Sequence, residues 1–160
     1  NIIVAVIIMR VLVKEYSKLK FKFKWPNDIF IEKKKIAGIL LETSVLGNKI
    51  ENLIIGFGLN IISEPVSNNY KTTCLKNFTS KVDINDIFKK IFKSLDKNLT
   101  ANSINSFKTF KQYWLSMAND IGKMVKVKKM NSFHNGIFKT INHRGSLVLV
   151  SNSKKTIIES

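Results

Sequence analysis

The residues best placed for chemistry lie between Lys22 and Gly38, in the stretch KFKWPNDIFIEKKKIAG. Phe21, Phe23 and Trp25 alternate with Lys20, Lys22 and Lys24, a period-2 pattern that predicts a strand at about 20–25. Pro26 removes a backbone donor and ends it. Asn27-Asp28 is turn chemistry, and Ile29, Phe30 and Ile31 restart a strand at about 28–32. Lys33-Lys34-Lys35 reads as a second turn before Ile36 to Leu41 enter a third strand, at about 36–42. Folded so, the stretch brings Lys24, Asn27, Asp28 and Lys35 together as one wall of a pocket. Two ammonium groups beside a carboxamide–carboxylate pair suit an anionic ligand. Spacing alone leaves open an ordinary hairpin with solvated lysines.

A second constellation is Gly56-Phe57-Gly58-Leu59-Asn60. A GxG invites a dinucleotide-fold reading, but no third glycine follows and Ile61 to Pro65 does not begin a helix. Within a strand, two glycines two apart bare the same face, so a flat ligand can lie against the backbone. Asn60 then offers an amide at the strand's end, and Gly38 can act likewise in its own strand. A bulge or tight packing is the other use of each glycine.

The elements that must position these residues follow from periodicity. Asn1 to Leu19 reads as a helix, apolar over most of its circumference and therefore packed on two sides. Gly47-Asn48 marks a turn. Ile50 to Asn60 reads as a strand buried on both faces or nearly so. Ser63 to Asn77 is a loop. Asp83 is an N-cap for a helix from about Ile84 to Leu99, with Ile84, Ile87, Phe88, Ile91, Phe92 and Leu95 on one stripe. Asn102 or Ser103 caps another at about 104–117, whose helically spaced aromatics Phe107, Phe110, Tyr113 and Trp114 read as core. From Ile121 the texture becomes strand-rich, with turn signals at Asn135-Gly136 and Arg144-Gly145. The boundary falls near Asn119, which divides the chain into 1–118 and a small appendage, 119–160. His134 and His143 sit beside its turns without a spaced ligand set, so no metal site is read there.

Composition bounds the class. Over 160 residues, an apolar fraction of 44% supports a real core. Net charge is +16, yet only Arg10 and Arg144 are arginine. Nucleic-acid surfaces grip phosphates and bases with arginine forks, so this lysine excess reads as compositional bias and not as a specific nucleic-acid site. Cys74 stands alone, which excludes an internal disulfide and fits a reducing cytoplasm. The longest apolar run, Ile2 to Val13, is interrupted by Arg10 and far short of the ~20 residues of a membrane span.

Three segments carry a resemblance. KWPNDIF (Lys24 to Phe30), KIAGILLE (Lys35 to Glu42) and IGFGLN (Ile55 to Asn60) are similar, in order and spacing, to three successive signatures of biotin protein ligases. The resemblance implies an α/β (α+β) fold: a class II synthetase-like mixed sheet with helices, followed by a small SH3-like barrel. It implies that biotin and ATP, with Mg²⁺, give biotinyl-AMP and pyrophosphate, and that a lysine of a carboxylase's biotin carboxyl carrier domain then attacks the mixed anhydride. Lys35 and Asp28 are the implied catalytic residues. Lys24, Trp25, Asn27, Gly38, Ile39, Gly56, Gly58 and Asn60 are the implied substrate contacts, with Trp25 packing more than reacting. No membrane is implied; a homodimer is left open.

One departure shapes the expectation. Such ligases carry a GRGRxGR adenylate loop upstream of the first helix, and nothing of that form occurs here. The chain also starts directly inside an apolar run at Asn1. The expectation is a C-terminal part of a ligase, truncated at its N-terminus, with little or no activity alone. A lipoate or octanoyl ligase-like protein, a non-catalytic remnant and one half of a split ligase are the alternatives. The helix-turn-helix of repressor-type ligases has no counterpart in the chain.

Overall fold

The computed structural model describes residues 1–47, 49–68, 70–99, 106–129 and 132–159. The first helix, α1 (Ile2–Glu15), buries Ile2, Val4 to Met9 and Leu12, so it is apolar nearly all round and lies in the middle of the core. Two further helices and a strand flank it. Among the described residues no helix is long and apolar enough to cross a membrane.

The first sheet has four antiparallel strands in sequence order: β1 (Phe21–Lys24), β2 (Asp28–Ile31), β3 (Lys34–Leu46) and β4 (Lys49–Leu59). The Trp25–Pro26 peptide in the β1–β2 turn is cis. The next turn comes earlier than the lysine run suggests. Glu32 and Lys33, at φ +47° and +63°, form a tight two-residue turn whose twist matches the strands. Lys34 and Lys35 therefore belong to β3. The expected double burial of β4 is also corrected. Phe57 stacks on Phe88 at 5.5 Å, whereas Leu53 and Ile54 on the distal strand are 49% and 61% exposed. One helix, α2 (Ile84–Asn98), packs its aromatics Phe88 and Phe92 against Phe57 on one face. The Gly47-Asn48 turn lies partly outside the described residues; Gly47 has φ +61°.

Asp83 caps α2 as expected, its Oδ1 accepting from Asp86 N at 3.0 Å. Ile87, Ile91 and Leu95 are buried, while Ile84 and Phe92 on the same stripe stay exposed. The last helix, α3 (Phe107–Ser116), starts later than expected, and the cap candidates Asn102 and Ser103 lie outside the described residues. Its Trp114 is buried between Phe23 at 5.5 Å and Phe138 at 6.2 Å, which ties the two sheets together.

The second sheet is β5 (Met124–Lys129), β6 (Ser132–Ile141), β7 (Leu147–Ser151) and β8 (Lys154–Ile158), antiparallel in that order. Asn135-Gly136 is not a turn: both residues lie inside β6, opposite Lys126 and Val125. A Cβ on Gly136 would stand 3.0 Å from Leu149 Cβ and 3.2 Å from the Val150 carbonyl, so the glycine serves the close approach of β7. Arg144-Gly145 is a turn, with Asn142 Oδ1 accepting from Arg144 N and Ser146 N. Both named sheets are antiparallel, in place of the mixed sheet expected; parallel pairing among the described residues is confined to the bridges Phe23–Ala118 and Lys35–Thr72. Among the described residues no ladder joins β5 to β8, although Lys129 and Glu159 approach to 3.8 Å.

Candidate functional site

The site is assembled by an irregularity in β3. Lys35 pairs with Phe30, Ala37 with Ile29 and Gly38 with Asp28, so Ile36 is the extra residue of a bulge. Residues three apart on a regular strand face opposite ways; the bulge brings Lys35 and Gly38 to the same face as Asp28. There Lys35 Nζ meets Asp28 Oδ1 at 2.6 Å, both side chains about one-fifth exposed. Gly38 makes the space. A Cβ at this position would sit 3.2 Å from Lys35 Cε and Nζ and 3.3 Å from Asp28 Oδ1.

Beside this pair, β4 supplies a bare shelf. Gly38 is opposite Gly58, and Leu40 is opposite Gly56. A Cβ on Gly58 would meet nothing within 4 Å. Asn27, Asp28, Lys35, Gly38, Ile39, Gly56 and Gly58 thus surround a shallow cavity of about 300 Å³. Asn27 works for the backbone: its Nδ2 donates to the Ile39 carbonyl at 2.6 Å, and its own carbonyl accepts from Ile39 N. That pins the β1–β2 turn to β3 and fixes where Asp28 points. Asn60 lines the adjoining cavity of about 220 Å³, with Nδ2 donating to the Thr73 carbonyl at 3.0 Å.

Lys24 and Trp25 are placed elsewhere. Lys24 stands opposite Asp28 in the strand register, but it lines another cavity than Lys35 does. Lys24 Nζ lies 5.0 Å from the centre of the Phe30 ring, attracted by its negative face. Trp25 Nε1 donates to the Gly145 carbonyl at 3.0 Å, a tie to the second sheet. Both line a different and larger cavity of about 590 Å³, between the cis-proline turn and strands of the second sheet. It is about twice the volume of the shelf cavity, but the Lys35–Asp28 pair does not line it.

The sequence reading placed the loop beyond β4 but gave it no part in the site. Lys35 N donates to the Lys71 carbonyl at 2.8 Å, and Thr73 N donates to the Lys35 carbonyl at 2.9 Å. Tyr70, half-exposed, places its ring over Lys35 Nζ, 4.9 Å from the centroid. A lone aromatic in a polar loop carries no periodic signal that could have announced this. Nearby, burial pushes the Cys74 thiol up, and its hydrogen bond with Glu64 adds to the shift; the thiol is a packed group outside the cavity. Among the described residues no group of three or more His, Cys, Asp or Glu could hold a metal ion.

In chemical terms, the arrangement is an ammonium at the edge of a flat backbone shelf, balanced by one carboxylate. An anionic group entering the shelf would compete with Asp28 for Lys35, and the released carboxylate could take a proton or hold a cation.

Known proteins share this frame. The family model of the biotin/lipoate A/B protein ligases matches residues 2–60, from α1 through the whole first sheet. The bifunctional ligase/repressor BirA of Bacillus subtilis is 27% identical over 145 residues, covering 88% of this chain and 45% of that protein. A biotin–[acetyl-CoA-carboxylase] ligase of Paracoccus denitrificans is 23% identical over 145 residues, covering 87% of this chain and 60% of its own length. The chain thus spans about half the length of the curated relatives it matches. The apo biotin protein ligase of Aquifex aeolicus superposes with a TM-score of 0.83 at 25% identity, over 99% of this chain and 70% of that one. The same enzyme in complex with biotin and ATP superposes at 0.81. Sequence relatives and superposed structures agree on one grouping, the biotin protein ligases, to which this chain is similar.

Proposed function

We propose that the chain serves biotin protein ligation. The carboxylate of biotin attacks the α-phosphorus of ATP, pyrophosphate leaves, and biotinyl-AMP forms. The ε-amine of a lysine on a biotin carboxyl carrier domain then attacks the acyl carbon, AMP departs, and the amine gives up a proton. The observation that carries this reading is the Lys35–Asp28 pair on the glycine shelf. Joining a carboxylate to a phosphate crowds negative charge, and a fixed ammonium between them offsets it; losing one such donor costs roughly 3–4 kcal/mol of barrier. Asp28, released from Lys35 by the anion, orients the incoming amine and takes its proton. Gly38, Gly56 and Gly58 let the ligand lie against the backbone, Ile39 lines the same cavity, and Asn27 and Asn60 hold the strand ends. Lys24 and Trp25, on the other cavity, take no part in this reading.

Magnesium fits as a companion of ATP. It binds proteins through one or two carboxylates together with substrate phosphates, and Asp28 is the acid lining the cavity. Its chemistry there would be to neutralise the phosphate oxygens. The acceptor is read as a carboxylase carrier domain, following the name of the Paracoccus relative, and the compartment as the cytoplasm. Segment 119–160 is read as the small SH3-like domain of such ligases.

The shelf is open on the side away from α2, so the chain presents one wall of the site and its turnover alone is expected to be low. Binding is therefore the sharper test. Calorimetric titration with biotinyl-AMP should show saturable binding, with lipoyl-AMP weaker. Preference for lipoyl-AMP would move the assignment to the lipoate branch, and robust carrier biotinylation by this chain alone would refute the expectation of low turnover.

A further inference from the structure

We infer that Tyr70 is a positioning residue for Lys35, its ring holding the ammonium at the edge of the glycine shelf. The inference rests on the role given to Lys35 above. Lys35 Nζ lies 4.9 Å from the ring centroid, within the reach of a cation–π contact. Two unlike groups thus hold one cation: the Asp28 carboxylate at 2.6 Å and the face of a neutral ring.

The difference between the two holders gives Tyr70 its use. An ion pair competes with an incoming anion, because the ammonium must be shared or surrendered. A ring carries no net charge, so it attracts the ammonium whether or not an anion is present and exacts no exchange. As an acyl-phosphate group draws Lys35 away from Asp28, the ring keeps the ammonium from swinging out into water.

The ring can do this because its chain segment is fastened to the lysine's own backbone. Lys71 accepts from Lys35 N, and Thr73 N donates to the Lys35 carbonyl, so Tyr70 immediately precedes the residues paired with Lys35. Thr72 Oγ1 donates to the Pro65 carbonyl at 2.6 Å, and Asn60 Nδ2 donates to the Thr73 carbonyl, closing the loop on both sides. Tyr70, Pro65 and Thr72 line the cavity of about 220 Å³ that adjoins the shelf and shares Lys35, Gly38 and Gly58 with it. A half-exposed aromatic that faces a site lysine is poorly explained by packing, since it covers little of the core.

The test compares Tyr70→Phe and Tyr70→Leu in the full chain by two readouts. The first is the ring-current displacement of the Lys35 side-chain resonances in NMR spectra, which needs no ligand. The second is affinity for biotinyl-AMP. The expected result is that Tyr70→Phe keeps the displacement and the affinity, whereas Tyr70→Leu loses the displacement and binds roughly two- to thirtyfold more weakly. A merely structural role would not single out the Lys35 resonances or be rescued by phenylalanine. Unchanged Lys35 resonances in Tyr70→Leu overturn the inference, as does an equal loss in Tyr70→Phe. If the unaltered chain binds no biotinyl-AMP, the ligase reading fails, and the resonances still decide whether the ring holds the ammonium.

Discussion

Replacing Gly38 by alanine should separate the site from the fold. The added methyl would stand 3.2 Å from Lys35 Cε and Nζ and 3.3 Å from Asp28 Oδ1. Asp28 is fixed by its strand, whereas the lysine end is the free tip of a flexible chain, so the ammonium moves. The fold loses little. An ion pair one-fifth exposed still reaches solvent and contributes about 0–1 kcal/mol, and alanine recovers about 0.5–1 kcal/mol of backbone entropy that glycine spends in a strand. The two nearly cancel, and unfolding in urea should shift by no more than about 1 kcal/mol. Ligand binding should suffer more. A hydrogen bond from a charged donor is worth about 1.5–3 kcal/mol, or roughly 10- to 150-fold in affinity for biotinyl-AMP. Denaturant titration and calorimetry on the same preparation give both numbers. Binding within about twofold of the parent chain would refute the claim that Gly38 makes room for Lys35.

Other expectations reach the rest of the chain. Asp83→Ala removes the acceptor of Asp86 N and should destabilise the protein by about 1 kcal/mol in urea, leaving ligand affinity unchanged. Trp114→Ala opens a cavity between Phe23 and Phe138 and should cost about 3–5 kcal/mol; a cost below about 1 kcal/mol would contradict the packing described. Burial and Glu64 raise the Cys74 thiol above its ordinary 9.0, so the folded state keeps the proton longer than the unfolded one. The stability this contributes is whole below that value and declines as pH rises through the higher folded one. The stability difference between the parent chain and Cys74→Ala should therefore shrink above pH 9.0, and alkylation by iodoacetamide there should be much slower in the native than in the denatured protein.

The chemistry-bearing residues were legible from the sequence because their types are unusual in a strand-turn setting. Lys35, Asp28 and the glycines could be named, and the structure brings them to one shelf. Their geometry was not legible. It depends on the bulge at Ile36, which follows from no local pattern and without which Lys35 and Gly38 would face apart. Lys24 illustrates the reverse failure: adjacency across a hairpin was readable, but the Phe30 ring that captures its ammonium was not. The apolar run of β4 promised double burial, since hydrophobicity reports a preference and not whether a covering element is at hand. Asn135-Gly136 has the residues of a tight turn, yet the glycine answers to a neighbouring strand that only the folded sheet reveals. Tyr70 was invisible because its partner lies 35 residues earlier, joined to it by loop hydrogen bonds alone.

The central claim is that the Lys35 ammonium on the glycine shelf receives an acyl adenylate. Calorimetric titration of the chain and of its Lys35→Ala variant with biotinyl-AMP tests it most directly. The account predicts saturable binding by the parent chain and at least about a tenfold loss in the variant, with both proteins folded alike by circular dichroism. Equal affinity in the two, or no saturable binding to the parent chain, would contradict it.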